Sequence, residues 1–177
     1  MPQSTQRPMR RKDRELSREE TLTVIRHTPH CVIATVDESG TPYATPITAV
    51  LFESAVYFHS SSDVTGRRYQ NALQNDKVSI VWVGRGETAA DELPKDFSVN
   101  YASAIVEGRI SLVTDEGEKK RVAKAFCLRH VPQAGEEAID KYYAAGGKYV
   151  VFWKVTIDSL SGKARNKQGY FNRILAV

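Results

Sequence analysis

Positions 59 to 68 read HSSSDVTGRR, which puts an imidazole, a run of hydroxyls (Ser60, Ser61, Ser62, Thr65), a carboxylate, Gly66 and the guanidiniums of Arg67 and Arg68 into one short stretch. Hydroxyls and exposed backbone N–H groups donate hydrogen bonds. Arginines pair with oxyanions through a fixed fork, and the start of a helix carries the positive end of its dipole. Together these are what a phosphate or a phosphate-bearing cofactor requires. Taken locally, the stretch reads equally well as a capped and solvated helix start. Its meaning therefore depends on the elements that hold it.

Upstream, YATPITAVLFESAVYF (43–58) contains two β-prone runs, with Val50, Phe52, Val56 and Phe58 at apolar positions and Glu53-Ser54 between them as a hairpin turn. Pro42 and Pro46 remove two ladder donors, which predicts an edge, a bulge or irregular backbone in the first run. Earlier still, SREE (17–20) is a capping box that opens a short helix through Leu22 and Ile25, ended by Pro29. CVIATV (31–36) reads as a buried strand and Asp37 to Gly40 as a turn. After Arg68 a short helix runs through YQNAL, followed by the strand VSIVWV (78–83). Residues 84–96 lack apolar period and read as a long loop. Residues 97–113 alternate as a long strand with a bulge or bend at Gly108.

An amphipathic helix is predicted over 115–130, with acids at its start and bases near its end as the dipole prefers, then a shorter helix over 136–142 and a last strand over 149–157. Six strands paired mostly through hairpins, with three or four helices between groups of them, predict an α+β, mainly β chain built on a closed or nearly closed antiparallel barrel. A doubly wound sheet would need regular strand–helix alternation, and the sequence lacks it. Residues 1–9 are expected to be a disordered tail, 10–160 the folded domain, and 161–177 a basic C-terminal tail with little to hold it.

At 177 residues the chain can bury a core without disulfides or structural metal. Cys31 and Cys127 lie far apart in apolar runs and read as buried thiols of a reducing compartment. No apolar run is long enough to span a bilayer, and the first residues lack the apolar centre of a signal peptide, so a cytoplasmic location is expected, with no membrane partner. The net charge of +4 is an end effect. Residues 1–14 carry five bases against Asp13, and 160–177 carry Lys163, Arg165, Lys167 and Arg173 with no acid, so the body between is acidic on balance. A nucleic-acid partner is therefore not expected, because binding would need a basic face on the folded body.

Other reactive residues have plainer readings. His27 and His30 have metal-ligand spacing, but Pro29 breaks the helix between them and no third ligand is near, so no metal site is expected. His59 alone reads as a structural hydrogen-bonding residue at a strand end. Trp82 and Trp153 read as core or interface aromatics, and Glu107 is assigned no catalytic role. Lys163 and Arg165 are most simply solvated.

Taken in order, MRRKDREL (9–16), Thr45-Pro46 with the following β run, Val56 to His59 with Gly66-Arg67-Arg68, NYASAIVEG (100–108) and LSGKA (160–164) resemble the flavin-binding split-barrel superfamily of pyridoxamine phosphate oxidase-like proteins, and within it the nitroimidazole-resistance branch. The resemblance implies a six-stranded antiparallel split β-barrel and a homodimer with FMN in two equivalent grooves between subunits. It implies that the backbone of Thr45, Pro46, Ile47 and Thr48 faces the flavin ring edge, that His59 and Ser60 lie along the ribityl chain and ring, and that Gly66, Arg67 and Arg68 hold the phosphate. Tyr101, Ser103 and Trp153 would approach from the neighbouring chain, and His59 is the candidate catalytic residue. Arg68 stands where the family often has lysine, and the cysteine-rich features of some members between the fourth and fifth strands are absent.

By that resemblance the chain is expected to be a flavin-dependent oxidoreductase acting on a small organic substrate, nitro compounds among the candidates. Two alternatives stand beside it. One is a non-catalytic flavin or haem module, for which His27, His30, His59 and His130 each offer an axial nitrogen. The other is an F420-dependent reductase, whose anionic tail would use Lys163 and Arg165.

Overall fold

Six strands close into a single antiparallel ring in the computed structural model, which describes residues 8–175. The strands are β1 (His30–Val36), β2 (Pro42–Phe52), β3 (Ala55–Ser60), β4 (Lys77–Ala89), β5 (Ser98–Leu112) and β6 (Val151–Arg165), arranged β1-β2-β3-β6-β5-β4. The helices are α1 (Arg18–His27), α2 (Arg67–Gln74), α3 (Glu116–His130), α4 (Glu136–Ala145) and α5 (Lys167–Leu175). The mainly β class and the antiparallel barrel are those expected from the sequence.

The barrel interior is filled by the inward alternation of Ile33, Val56, Phe58, Ile80, Trp82, Val106, Trp153 and Val155, all buried. Trp82 fits because its register partners are small, Cys31 on one side and Ala104 on the other. Outside the barrel, α3 lays Val122, Ala123 and Phe126 over Val50, Tyr57 and Phe152 to make a second apolar cluster. Ser17 and Glu20 form the predicted capping box of α1. The Glu53-Ser54 turn has both residues in the left-handed region, φ 45° and 67°, the geometry that a two-residue hairpin needs to follow strand twist.

The prolines of β2 have the consequence that matters most for a site. Residues 42–48 pair with β1, whereas pairing with β3 begins only at Ala49. Pro42 and Pro46 thus sit in the half of β2 that has one neighbour, and this leaves an open edge between β2 and the loop after β3.

Two expectations change. The polar run 84–89 continues β4 beyond a register shift between Val83 and Arg85, pairing as far as Ala89 with Ser98. The loop is correspondingly shorter. Second, residues 161–165 are not a loose tail but the last third of β6, paired with β5 from Ser161–Ile105 to Arg165–Tyr101, and 167–175 form α5. Ser, Gly and Lys hide the alternation there, yet Ala164 is buried, and Tyr170 of α5 packs where Gly84 has no side chain. At the other end Leu16, inside the domain expected from residue 10, is buried with its N–H on the Gly162 carbonyl at 3.0 Å. Most of the disordered segment expected over 1–9 lies outside the described residues.

Candidate functional site

The segment after β3 is shaped by its own side chains. The Asp63 carboxylate accepts from the Thr65 N–H at 2.9 Å and the Thr65 hydroxyl at 2.7 Å, which turns the chain into the first residues of α2. Gly66 is the N-cap, so Arg67 and Arg68 occupy the first turn. Their side chains then part.

Arg67 is exposed, 3.6 Å from the Asp37 carboxylate and 4.6 Å above the Tyr43 ring. Arg68 folds inward over the Phe58 ring at 5.4 Å and donates from Nη1 to the Thr45 hydroxyl at 3.1 Å. Among the described residues no carboxylate stands within ion-pair distance of Arg68. Its half-burial pushes the guanidinium pKa down, so the fold disfavours a charge that it does not neutralise.

Beside it, the Trp153 indole N–H donates to the Ser60 hydroxyl at 3.0 Å, and the Trp153 ring meets Tyr69 edge-on at 5.0 Å and stacks with Phe58 at 6.4 Å. Thr45, Ser60, Arg68 and Tyr69 therefore stand together at the open edge of β2, over the buried rings of Phe58 and Trp153. Ile47 is buried in the core behind it, Pro46 is exposed, and Thr48 faces the other way. Trp153, at 2% exposure, belongs to the interior of its own barrel and has no surface to present to a second chain, contrary to the role the resemblance implied; the core reading of both tryptophans holds.

His59 points to the opposite side of β3 from Phe58 and Ser60 because successive strand residues alternate. It packs edge-on against Phe126 of α3 at 4.8 Å. Phe126 in turn meets the ring of His130, one helical turn further on, at 4.6 Å and a tilt of 48°, and His30 Nδ1 lies 3.4 Å from the Thr48 hydroxyl. Burial, and after it the Arg68 charge, lowers the His59 pKa. Burial followed by Arg129, His30 and His59 lowers that of His130. His59 and His130 thus flank Phe126, the charges of His30 and His59 bear on His130, and Nε2 of His130 is buried without a hydrogen-bond partner among the described residues. His27 stays on α1 against the Thr23 carbonyl, and no group of three His, Cys, Asp or Glu residues among those described is arranged to hold a metal ion. The sequence reading did not join Phe126 and His130 to His59; their i, i+4 spacing on α3 was the available signal.

Tyr101 and Ser103 lie elsewhere. β5 is three strands from β2 in either direction around the ring, so these residues occupy the wall opposite Thr45 and Arg68. One chain does not bring the two groups together.

The family model described as pyridoxamine 5′-phosphate oxidase matches residues 17–164. A solved structure of a candidate 5-nitroimidazole antibiotic resistance protein from Bacteroides thetaiotaomicron is similar at 19% identity and TM-score 0.67, over 84% of this chain and 85% of that one. The flavocytochrome Anf3 from Azotobacter vinelandii is similar at 18% identity and TM-score 0.71, over 90% and 72%. An FAD and haem binding protein from Mycobacterium smegmatis is similar at 16% identity and TM-score 0.68, over 85% and 72%. No curated protein matches the chain.

Proposed function

The chain belongs to the pyridoxamine 5′-phosphate oxidase family, and from that premise we propose that it is a flavin-binding oxidoreductase that holds FMN at the open edge of β2 and reduces a small organic compound, nitro compounds among the candidates. The observation that carries this reading is Arg68, a half-buried cation with no acid partner among the described residues, seated on Phe58 and Thr45 at the first turn of a helix. A phosphate there would be paired by a fork that the fold has already oriented and would relieve the cost of burying the charge. The residues present therefore fit a phosphate-bearing flavin: Arg68 and the first amides of α2 for the phosphate, Ser60 and the backbone of Thr45 to Thr48 along the open edge.

When bound, a flavin supplies the electron chemistry. The chain's own contribution is to position it. His59, on the other face of β3 against Phe126, backs this edge rather than lining it, and burial followed by the Arg68 charge lowers its pKa.

We propose that the active form is a homodimer. Tyr101 and Ser103 reach such a site only from a second copy, because their own barrel holds them on the opposite wall. The outer face between supplies a self-complementary surface: the register row Pro46–Val32–Val81–Ile105 crosses four strands, and Val32, Val83 and Ile105 are 41%, 61% and 38% exposed. No helix among the described residues is long and apolar enough to cross a membrane. With two unpaired thiols, a reducing, cytoplasmic setting is the proposed one.

A haem-binding function is the second reading, supported by His59 and His130 flanking Phe126 and by the Nε2 of His130, unpartnered among the described residues. The absorption spectrum of the purified protein separates the two. Flavin bands near neutral pH support the first reading. A Soret band with no response to added FMN would replace it with the second, and a response to F420 alone would replace both.

A further inference from the structure

Arg68 can aim its guanidinium only as accurately as α2 is seated on the barrel, and α2 is seated by a polar contact as well as by packing. Asn71 lies three residues on from Arg68, on the same face of the helix, and is 3% exposed. Its Nδ2 donates to the Thr35 hydroxyl at 3.1 Å, inside the fold. Thr35, at 0% exposure, donates in turn to the carbonyl of Tyr43 at 3.3 Å, the residue opposite it in the β1–β2 register.

This relay ends in the half of β2 that has one strand neighbour, and three side chains of α2 converge there. Arg67 stands over the Tyr43 ring, Arg68 bonds to Thr45, and Asn71 reaches Tyr43 through Thr35. The two arginines are long and rich in rotamers. Asn71 is short and Thr35 is branched at Cβ, so their bond tolerates little displacement of the helix. The packing of Tyr69 and Ala72 is non-directional and by itself would let α2 slide or turn. A buried amide that must meet a buried hydroxyl does not allow this, because a shifted helix would leave both groups without water or partner. Neither Asn71 nor Thr35 has surface to offer a ligand, so any effect they have on one is transmitted.

We propose that Asn71 and Thr35 are positioning residues for the phosphate-binding cation: their hydrogen bond fixes the seat of α2, and with it the direction of Arg68 relative to the open edge of β2. The proposal rests on the reading that Arg68 holds the FMN phosphate. It adds that affinity for the phosphate is set in part by two side chains that never touch it. Loss of the link should weaken a flavin that carries phosphate and spare one that does not. Because the coupling runs through one cation, it should vanish when that cation is removed.

The test compares Thr35→Val, which keeps the shape and removes the hydroxyl, with Thr35→Ser, which keeps the hydroxyl, and with Asn71→Leu, each in the full chain. By isothermal titration, Thr35→Val and Asn71→Leu should each weaken FMN about three- to tenfold and change riboflavin by less than about twofold, while Thr35→Ser stays within about twofold of the parent for both. With Arg68→Met already in place, Thr35→Val should alter FMN affinity by less than about twofold. A readout without ligand is the Arg68 Nε–H resonance of nitrogen-15-labelled protein, which the Phe58 ring beneath the guanidinium shifts. It should move in Thr35→Val and Asn71→Leu and stay in place in Thr35→Ser. Denaturation midpoints show which variants are folded, and if Asn71→Leu is not, Thr35→Val carries the same comparison. Equal losses for FMN and riboflavin, an equal FMN loss with and without Arg68, or an unmoved Arg68 resonance would overturn the positioning role. An FMN loss in Arg68→Met with none in Thr35→Val refutes that role and leaves the placement of the phosphate intact. No FMN loss in Arg68→Met refutes the placement, and the positioning role with it.

Discussion

Replacing Arg68 should separate ligand binding from folding, because its contacts in the ligand-free chain are few. In most binding sites the removed side chain also holds the fold, so lost affinity and lost structure are confounded. Here the ligand-free chain has little to lose. Arg68 makes one hydrogen bond, to Thr45, and one cation–π contact, with Phe58, each worth about 1 kcal/mol or less net, and its burial opposes the charge. Arg68→Met keeps an unbranched apolar stem over Phe58 and removes the unneutralised cation, so the denaturation midpoint without ligand should stay within about 1 kcal/mol of the parent. With FMN the balance reverses. A guanidinium that pairs with the phosphate contributes about 1.5–3 kcal/mol, so the same variant should bind FMN about ten- to a hundredfold more weakly. Riboflavin, without the phosphate, should bind parent and variant alike. Arg67→Met is the control: that side chain is exposed and already engaged with Asp37 and Tyr43, and its loss should cost FMN less than about fivefold. Isothermal titration of both ligands against the three proteins gives the answer. Equal FMN affinity in the parent and Arg68→Met, or equal losses for FMN and riboflavin, would refute the placement of the phosphate.

Three further outcomes follow from the packing and the titrating groups. Gly108 sits at the β5–β6 register shift, where a Cβ would lie 2.1 Å from the Thr156 carbonyl oxygen, so Gly108→Ala should destabilise by about 3 kcal/mol, whereas Gly86→Ala, with nothing within 4 Å, should change the denaturation midpoint by under about 0.5 kcal/mol. His59 and His130 have pKa values below the ordinary histidine value of about 6.5, so their neutral forms stabilise the fold above that pH and the contribution is lost as pH falls through the folded values. Urea midpoints should therefore drop on acidification below about pH 6.5, and a drop of the same size in His59→Gln and His130→Gln would show that other groups are responsible. Burial pushes the Cys31 thiol up to about 12, while Cys127 is half-buried and raised less, so a thiol reagent at pH 8 should label Cys127 first and Cys31 only on unfolding, as peptide mass analysis would show.

The elements that the sequence made legible are those whose side chains settle their own geometry. Ser17 and Glu20 announce a helix start because the cap is a local reaction between two side chains and two amides. The prolines of β2 announce an open edge because a missing N–H is a local fact. What escaped were the segments whose order comes from a distant partner. Residues 84–89 (GRGETA) and 161–165 (SGKAR) are built of Gly, small and charged residues and carry no period, yet each is held by pairing with β5, a strand whose own alternation is strong. Tyr170 is ordered against Gly84, more than eighty residues away, through the absence of a side chain, which no local window registers.

The candidate site divides along the same line. His59, Ser60 and Arg68 stood out because their chemistry is concentrated in one short stretch. The distribution of Arg67 to Asp37 and Arg68 to Thr45 could not be read there, since it depends on where the β1–β2 turn and the open edge fall in three dimensions. Tyr101 shows the stronger limit. In a closed ring of six strands, residues on β2 and β5 are as far apart as the ring allows, so any function that needs both must use either a second chain or two separate ligands. The apolar row across β2, β1, β4 and β5 favours the second chain. A dimer formed through that row would carry the Tyr101 of each copy toward the open β2 edge of the other, where Arg68 stands.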